Sequence, residues 1–313
     1  MTIFALVYVF VTRIVPEPSS HNIDNEWLQC ELSVRKAIEC FYPGKSFPAI
    51  SVTGKACSLR CKHCSGKYLE GMIPATTPSD LLDVAEALVE RGARGFLLSG
   101  GSDENGRIGI ADFADAIREI KATTDLKINA HIGLASPKEI QHLAGCGIDS
   151  FSADVYGSDE TIREVLGLDA RVEDYVKVVA DLKSCGARVA PHLCVGIHGG
   201  AMRGEMAAIE RLRRLEPEAL ILISLIPTKG TLYQSASPPS NEMIASVVRR
   251  AREELPTTRL LLGCMRSKLD RSAEFTLVSE GLDGIVLPSS STVDWLKKEG
   301  YAVKKRSVCC AIP

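Results

Sequence analysis

This sequence has almost no net charge: 37 Lys and Arg against 39 Asp and Glu leave −2. Its basic residues are dispersed rather than gathered into a tract, which excludes a general field for recruiting nucleic acid. No low-complexity linker interrupts residues 48 to 290, and that excludes a string of small modules. The apolar start MTIFALVYVFVTRIV lacks a basic n-region and a small-residue cleavage site, so a secretory signal is not expected. It is also shorter than the roughly 20 residues that span a bilayer, which leaves a buried strand or a membrane-surface contact. What the chain does hold is a composition 45% hydrophobic and 24% charged over 313 residues, enough for one large α/β domain, and eleven cysteines. An odd number of thiols without a leader points to a reducing, cytoplasmic compartment, where thiols serve as ligands rather than cross-links.

Eight short β-branched runs alternate with amphipathic stretches. The strand candidates are AISVTG, GFLLSG, KINAH, DSFSAD, RVAPHLCVG, ALILISLI, RLLLG and DGIVLP. Between them lie helices such as SDLLDVAEALVERG, whose Leu81, Val84 and Leu88 recur at helical spacing. This alternation implies parallel strands joined by crossovers, and eight units match a (β/α)8 TIM-like barrel. Three segments are expected: an N-terminal extension over 1–47 ending in a helix (NEWLQCELSVRKAIECF, 25–41), the barrel over 48–290, and a C-terminal helix with a Cys-containing tail over 291–313. Catalytic residues of such barrels sit at the C-terminal ends of strands, so residues just after a strand are the candidates.

The stretch KACSLRCKHCSG follows the first strand and places Cys57, Cys61 and Cys64 within eight positions. Three thiols spaced CxxxCxxC suggest a metal centre with one coordination position open; a zinc knuckle with a distant fourth ligand is the alternative. The motif CSLRCKHC resembles the signature of the radical S-adenosylmethionine (SAM) superfamily. The resemblance implies that the three cysteines hold a [4Fe-4S] cluster whose fourth iron binds SAM, and that reductive cleavage of SAM gives a 5′-deoxyadenosyl radical. His63 falls where the family usually has an aromatic residue beside the adenine. LLSGG, with Ser99, Gly100 and Gly101, resembles the glycine motif that receives the methionine amino group, although Ser102 replaces the usual acidic residue; an ordinary strand-to-helix turn is the alternative.

Further motifs extend the resemblance. FSADVYGSDETIREVLG resembles the region of biotin-synthase-like enzymes that touches the ribose, with Ser152 and Asp154 on one face of the strand; Asp154 could instead cap the next helix. Arg163 reads first as an ion-pair partner of Glu160 and second as a clamp for the methionine carboxylate. CVGIHGG, with Ile197, resembles the strand end that packs on adenine, and LIPTKGTLY resembles the strand end where Lys229, Gly230 and Thr231 hold substrate. Asn129, His131, His192 and His198 are either site residues or satisfied core groups.

Of the remaining cysteines, Cys146 and Cys185 read as packing residues at helix ends. Cys264, beside Arg266, follows the seventh strand, and a tail folded over the barrel mouth would bring Cys309 and Cys310 to it. A second iron-sulfur cluster on these three, with Cys30, Cys40 or another group as fourth ligand, would supply sulfur. The resemblance thus implies sulfur insertion in the manner of one subunit of a two-component lipoyl synthase. It further implies a small-molecule or protein-bound acyl substrate, a ferredoxin or flavodoxin as electron donor, and a second radical SAM subunit. The alternatives are a radical methyltransferase or carbon-skeleton mutase, a non-catalytic cluster-binding partner, and a zinc-binding structural protein.

Overall fold

The computed structural model describes residues 37–267 and 271–313. All eight expected strands form, and three more join them in a curled, all-parallel sheet of 11 strands. In chain order they are β1 (Ala37–Phe41), β2 (Ala49–Ser51), β3 (Ile73–Pro74), β4 (Gly95–Ser99), β5 (Lys127–His131), β6 (Ser150–Val155), β7 (Val189–Val195), β8 (Ala219–Ser224), β9 (Arg259–Leu262), β10 (Gly284–Val286) and β11 (Ala302–Arg306). The sheet order is β11-β1-β10-β9-β8-β7-β6-β5-β4-β2-β3. The α/β barrel-type architecture therefore stands.

The last five residues of the expected lead-in helix correct that expectation. AIECF is a strand, β1, inserted between β10 and β11. The local alternation explains it: Ile38 and Cys40 face the outer core, while Phe41 faces inward. The apolar start and Cys30 lie outside the described residues. The tail expected to follow the last helix first forms β11.

Between the strands run helices α1 (Pro78–Glu90), α2 (Ala114–Thr123), α3 (Pro137–Ala144), α4 (Val172–Ser184), α5 (Glu205–Arg213), α6 (Asn241–Glu254), α7 (Arg271–Ser279) and α8 (Ser290–Lys298). Their starts are written locally: Thr77 and Ser136 each close a capping box with a proline at the first turn, and Ser240 and Ser289 cap α6 and α8. The outward strand residues Ile50, Leu98, Ile128, Phe151, Leu193, Leu222, Leu262 and Ile285 pack with the apolar helix stripes in the main core. Burying each such side chain contributes about 1.5–3 kcal/mol.

The ladder has edges at β3 and β11, and a short connection bridges its curl. Ser46, between β1 and β2, donates its Oγ to Ser307 O beyond β11 (2.9 Å), and its carbonyl accepts Arg94 N–H before β4 (2.8 Å).

The tail then turns into the barrel. Cys310, Ala311 and Ile312 are buried, and Cys310 and Ala311 pack with Phe41, Ala190, Ala219, Ile221, Leu261 and Val286 from the inner strand faces. Above this plug the inward residues nearer the strand ends, among them His131, Asp154, His192 and Cys194, stay partly exposed. Thus the interior has a filled lower half and an open upper half, and the upper half lies at the C-terminal ends of the strands.

Candidate active site

The loop after β2 is a run of tight turns that folds the cysteines back on themselves. Cys61 O accepts the N–H groups of Cys64 (3.2 Å) and Ser65 (2.9 Å), and Lys67 N–H returns to Cys64 O (2.8 Å). As a result the ligand atoms of Cys61, His63 and Cys64 all lie within 4.8 Å of one another, the sole such group of three among the described residues. The two neighbouring thiols act on each other, which holds Cys64 down to about 4 with His63 assisting, and pushes Cys61 well up with burial adding to it. Cys57 is near enough to act on Cys61 electrostatically, but its sulfur stands outside the 4.8 Å group. His63 Nδ1 is buried without a hydrogen-bond partner.

Two neighbours clamp this loop. On one side a π-turn, Ile162–Leu166, follows β6; its Val165 O accepts Lys62 N–H (2.8 Å) and its Leu166 O faces Cys61 Sγ (3.7 Å). On the other, Tyr233 N–H reaches Lys62 O (3.0 Å), and Tyr68 Oη meets Thr228 Oγ1 (3.1 Å). A single π-turn of this kind is common beside functional residues.

The glycine motif packs directly on the loop. A Cβ on Gly101 would fall 1.9 Å from Ala56 O, so only glycine permits this approach. Thr53 Oγ1 accepts Gly101 N–H (2.7 Å), and Ser102 O accepts Ser58 N–H (2.8 Å). Sequence reasoning gave Thr53 no role; nothing in its local pattern marks it, because its partner lies 48 residues away.

The other motifs converge on the same face. Asp154, next to last in β6, faces inward, and Ser158, not Asp154, caps the next helical turn. His131 Nε2 stands 3.2 Å from Asp154 Oδ2. Ser152 sits deeper, at 4% exposure, bonded to Asn129 (2.9 Å), which is 1% exposed. The expected Arg163–Glu160 pair is not formed: Glu160 pairs with Arg203, and Arg163 lies exposed on the π-turn. Ile197 is buried against Cys61, Tyr156 and Tyr175 in a second apolar cluster. His198 Nδ1 meets Thr161 Oγ1 (3.1 Å), a structural role. Lys229 and Gly230 are exposed at the rim, and Thr231 is buried, its hydroxyl given to Thr228 O.

Cys146 is buried in the main core, and Cys185 is exposed at the end of α4. Cys40 faces the outer core, where burial pushes its thiol up to about 11; this removes it from any inner site. The tail does enter the barrel. Cys309 Sγ accepts from Asn129 Nδ2 (3.7 Å), Cys310 is sealed in the plug, and Cys264 is exposed above β9. Cys264 and Cys309 are close enough to interact electrostatically.

With this geometry in view, similarity decides the family. The Radical SAM superfamily model matches residues 51–213, more than half of the chain, from β2 through the glycine motif and the π-turn to α5. This chain belongs to the radical SAM superfamily. Its similar curated proteins include the biotin synthase of Leptothrix cholodnii, 22% identical over 244 residues covering 75% of this chain and 69% of that protein. Another is the biotin synthase of Wolinella succinogenes, 25% identical over 245 residues (76% and 86%). Among solved structures HydG, a maturase of the [FeFe]-hydrogenase, superposes with a TM-score of 0.64 at 16% identity, over 86% of this chain and 64% of its own length. Radical SAM enzymes use a [4Fe-4S] cluster and SAM, and the residues present fit that pair: three thiols in one loop, one already favoured as thiolate, beside an unpartnered buried imidazole nitrogen. No described helix is long and apolar enough to cross a membrane.

Proposed function

We propose that Cys57, Cys61 and Cys64 carry the [4Fe-4S] cluster, and that the enzyme removes a hydrogen atom from a substrate held in the open upper half of the barrel, for sulfur insertion. The observation that supports it most is the convergence of Cys61 and Cys64 at the C-terminal end of β2, with Cys57 packed on Gly101. The cluster, when bound, supplies one electron to the sulfonium of SAM, whose C–S bond then breaks.

This chain's own residues do the rest. The Ser99–Gly101 backbone receives the methionine amino group, Arg163 reaches its carboxylate from the π-turn, and Asp154 accepts from the ribose hydroxyls. His63 and Ile197 flank the adenine. Lys229 at the rim holds the outer part of the substrate, for which an acyl chain carried on a protein is the lipoyl-synthase-like reading. A ferredoxin or flavodoxin delivers the electron, and a second radical SAM subunit supplies the companion step.

Sulfur insertion is supported by the biotin synthase relatives and by two neighbouring thiols, Cys264 exposed above β9 and Cys309 at the top of the plug. A second cluster would rest on these two, with Cys310 turned away into the plug. The test is iron and acid-labile sulfide per chain after anaerobic reconstitution, in the wild type and in the Cys57→Ala/Cys61→Ala/Cys64→Ala variant. Retention of about four irons by the variant, from about eight in the wild type, fits two clusters and sulfur insertion. Loss of all iron leaves one cluster and moves the reaction to rearrangement or methyl transfer. Zinc in place of iron removes the radical reading.

A further inference from the structure

Asp154 stands among imidazoles. His131, at the end of β5, faces it at 3.2 Å, and that Nε2 is shut away from solvent without a well-aligned hydrogen bond. At this distance the contact is a charged one whenever the imidazole carries its second proton, and Asp154 raises the His131 pKa toward that state. Asp154 itself is one-third exposed toward the open upper half (33%), and its Oδ1 has no partner among the described residues. One oxygen of the carboxylate is therefore held by the protein and the other is offered to a ligand.

The surroundings explain why the carboxylate needs help. His192 and Cys194 on β7, Tyr156 beyond β6, Tyr175 on α4 and His63 in the cysteine loop all lie within its electrostatic reach. Burial keeps Tyr156, Tyr175 and Cys194 in their neutral forms and pushes His192 down to about 4, with its Nδ1 given to Ala190 O (2.9 Å). His131 alone runs the other way: burial opposes its charge, but Asp154 overcomes that and raises it. For the carboxylate, burial is the largest influence and raises it, but its imidazole neighbours, His131 first among them, overcome that and lower it.

We propose that His131 is a positioning residue for SAM, holding the Asp154 carboxylate in place so that its free oxygen accepts hydrogen bonds from the ribose hydroxyls. This rests on the cofactor reading above. The ionised carboxylate keeps every lone pair for the hydroxyls, whereas burial without a cationic neighbour pushes its pKa up and favours the acid form, which turns one oxygen into a donor.

The test is the dissociation constant of SAM, by titration calorimetry on the anaerobically reconstituted enzyme between about pH 5.5 and 8.5, with iron content as the folding control. Wild-type affinity is expected to stay flat over that range, because Asp154 remains ionised. His131→Ala should weaken SAM about tenfold near neutrality and progressively more toward low pH, as burial raises the Asp154 pKa. His131→Gln, which restores a donor without the charge, should recover affinity at high pH but keep the slope. The double variant His131→Ala/Asp154→Asn should bind no more weakly than Asp154→Asn alone. Unchanged, pH-flat binding in His131→Ala overturns the proposal, and so does additivity in the double variant. If His131→Ala loses its iron, the slope of His131→Gln decides, and a flat profile there overturns it. A wild type that holds iron but does not bind SAM overturns the cofactor reading instead.

Discussion

The two halves of the barrel interior are built from the same strands and do opposite things. On β7, Ala190 is buried in the plug while His192 and Cys194, two and four residues on, remain partly exposed. On β5 and β6 the same step separates buried Asn129 and Ser152 from His131 and Asp154. A strand rises about 3.3 Å per residue, so one step along the inner face moves from an apolar seat to a chemical one. The lower half spends its positions on packing, and the upper half keeps groups whose charge and lone pairs are available. Stability and chemistry are thereby separated along the barrel axis.

That separation can be broken from below. Ile221→Ala, under the tail, should cost about 2–5 kcal/mol in denaturant unfolding while leaving iron per folded chain unchanged. A loss of iron at full stability would mean that the halves are not separate. A smaller effect tests the floor of the strands. Asp149, just before β6, accepts from Lys121 (2.7 Å) and Lys127 (2.9 Å) and from Ile128 N–H (2.9 Å), and these contacts outweigh burial and lower its pKa. Its contribution is complete above the unfolded carboxylate value near pH 3.9 and is lost as pH falls through the lower folded one. Asp149→Asn should therefore destabilise by about 1–3 kcal/mol at pH 7 and show a smaller loss of stability in acid. The smallest effect lies outside both halves: Thr77→Ala removes the α1 cap and should cost about 1 kcal/mol by the same assay, without changing SAM affinity.

Much of this was legible in the chain. The eight strand runs and their helices carry their period locally, and the cysteine spacing puts the candidate cluster ligands on one loop. The elements that escaped have non-local causes. AIECF reads as the end of a helix because its partners, Gly284–Val286 and Ala302–Arg306, lie at the far end of the sequence. AVKKR looks too polar for a strand until it is seen as an edge, where charged side chains are normal. In the site, Cys61 and Cys64 could be read but the inclusion of His63 in their group could not, since it depends on how the turns bring side chains round. Thr53, the His131–Asp154 pair and the clamp of the π-turn on Lys62 join segments that no spacing rule connects.

The insertion of β1 between β10 and β11 also governs how the molecule assembles. Every other neighbouring pair in the sheet joins strands that are near in sequence, so those units can dock in turn. The β1 pairings instead require a loop of nearly the whole described chain to close before any contact rewards it. Closure of the barrel is therefore expected to be the late, slow phase of refolding, with the β4–β9 units protected from hydrogen exchange before β1 and β11.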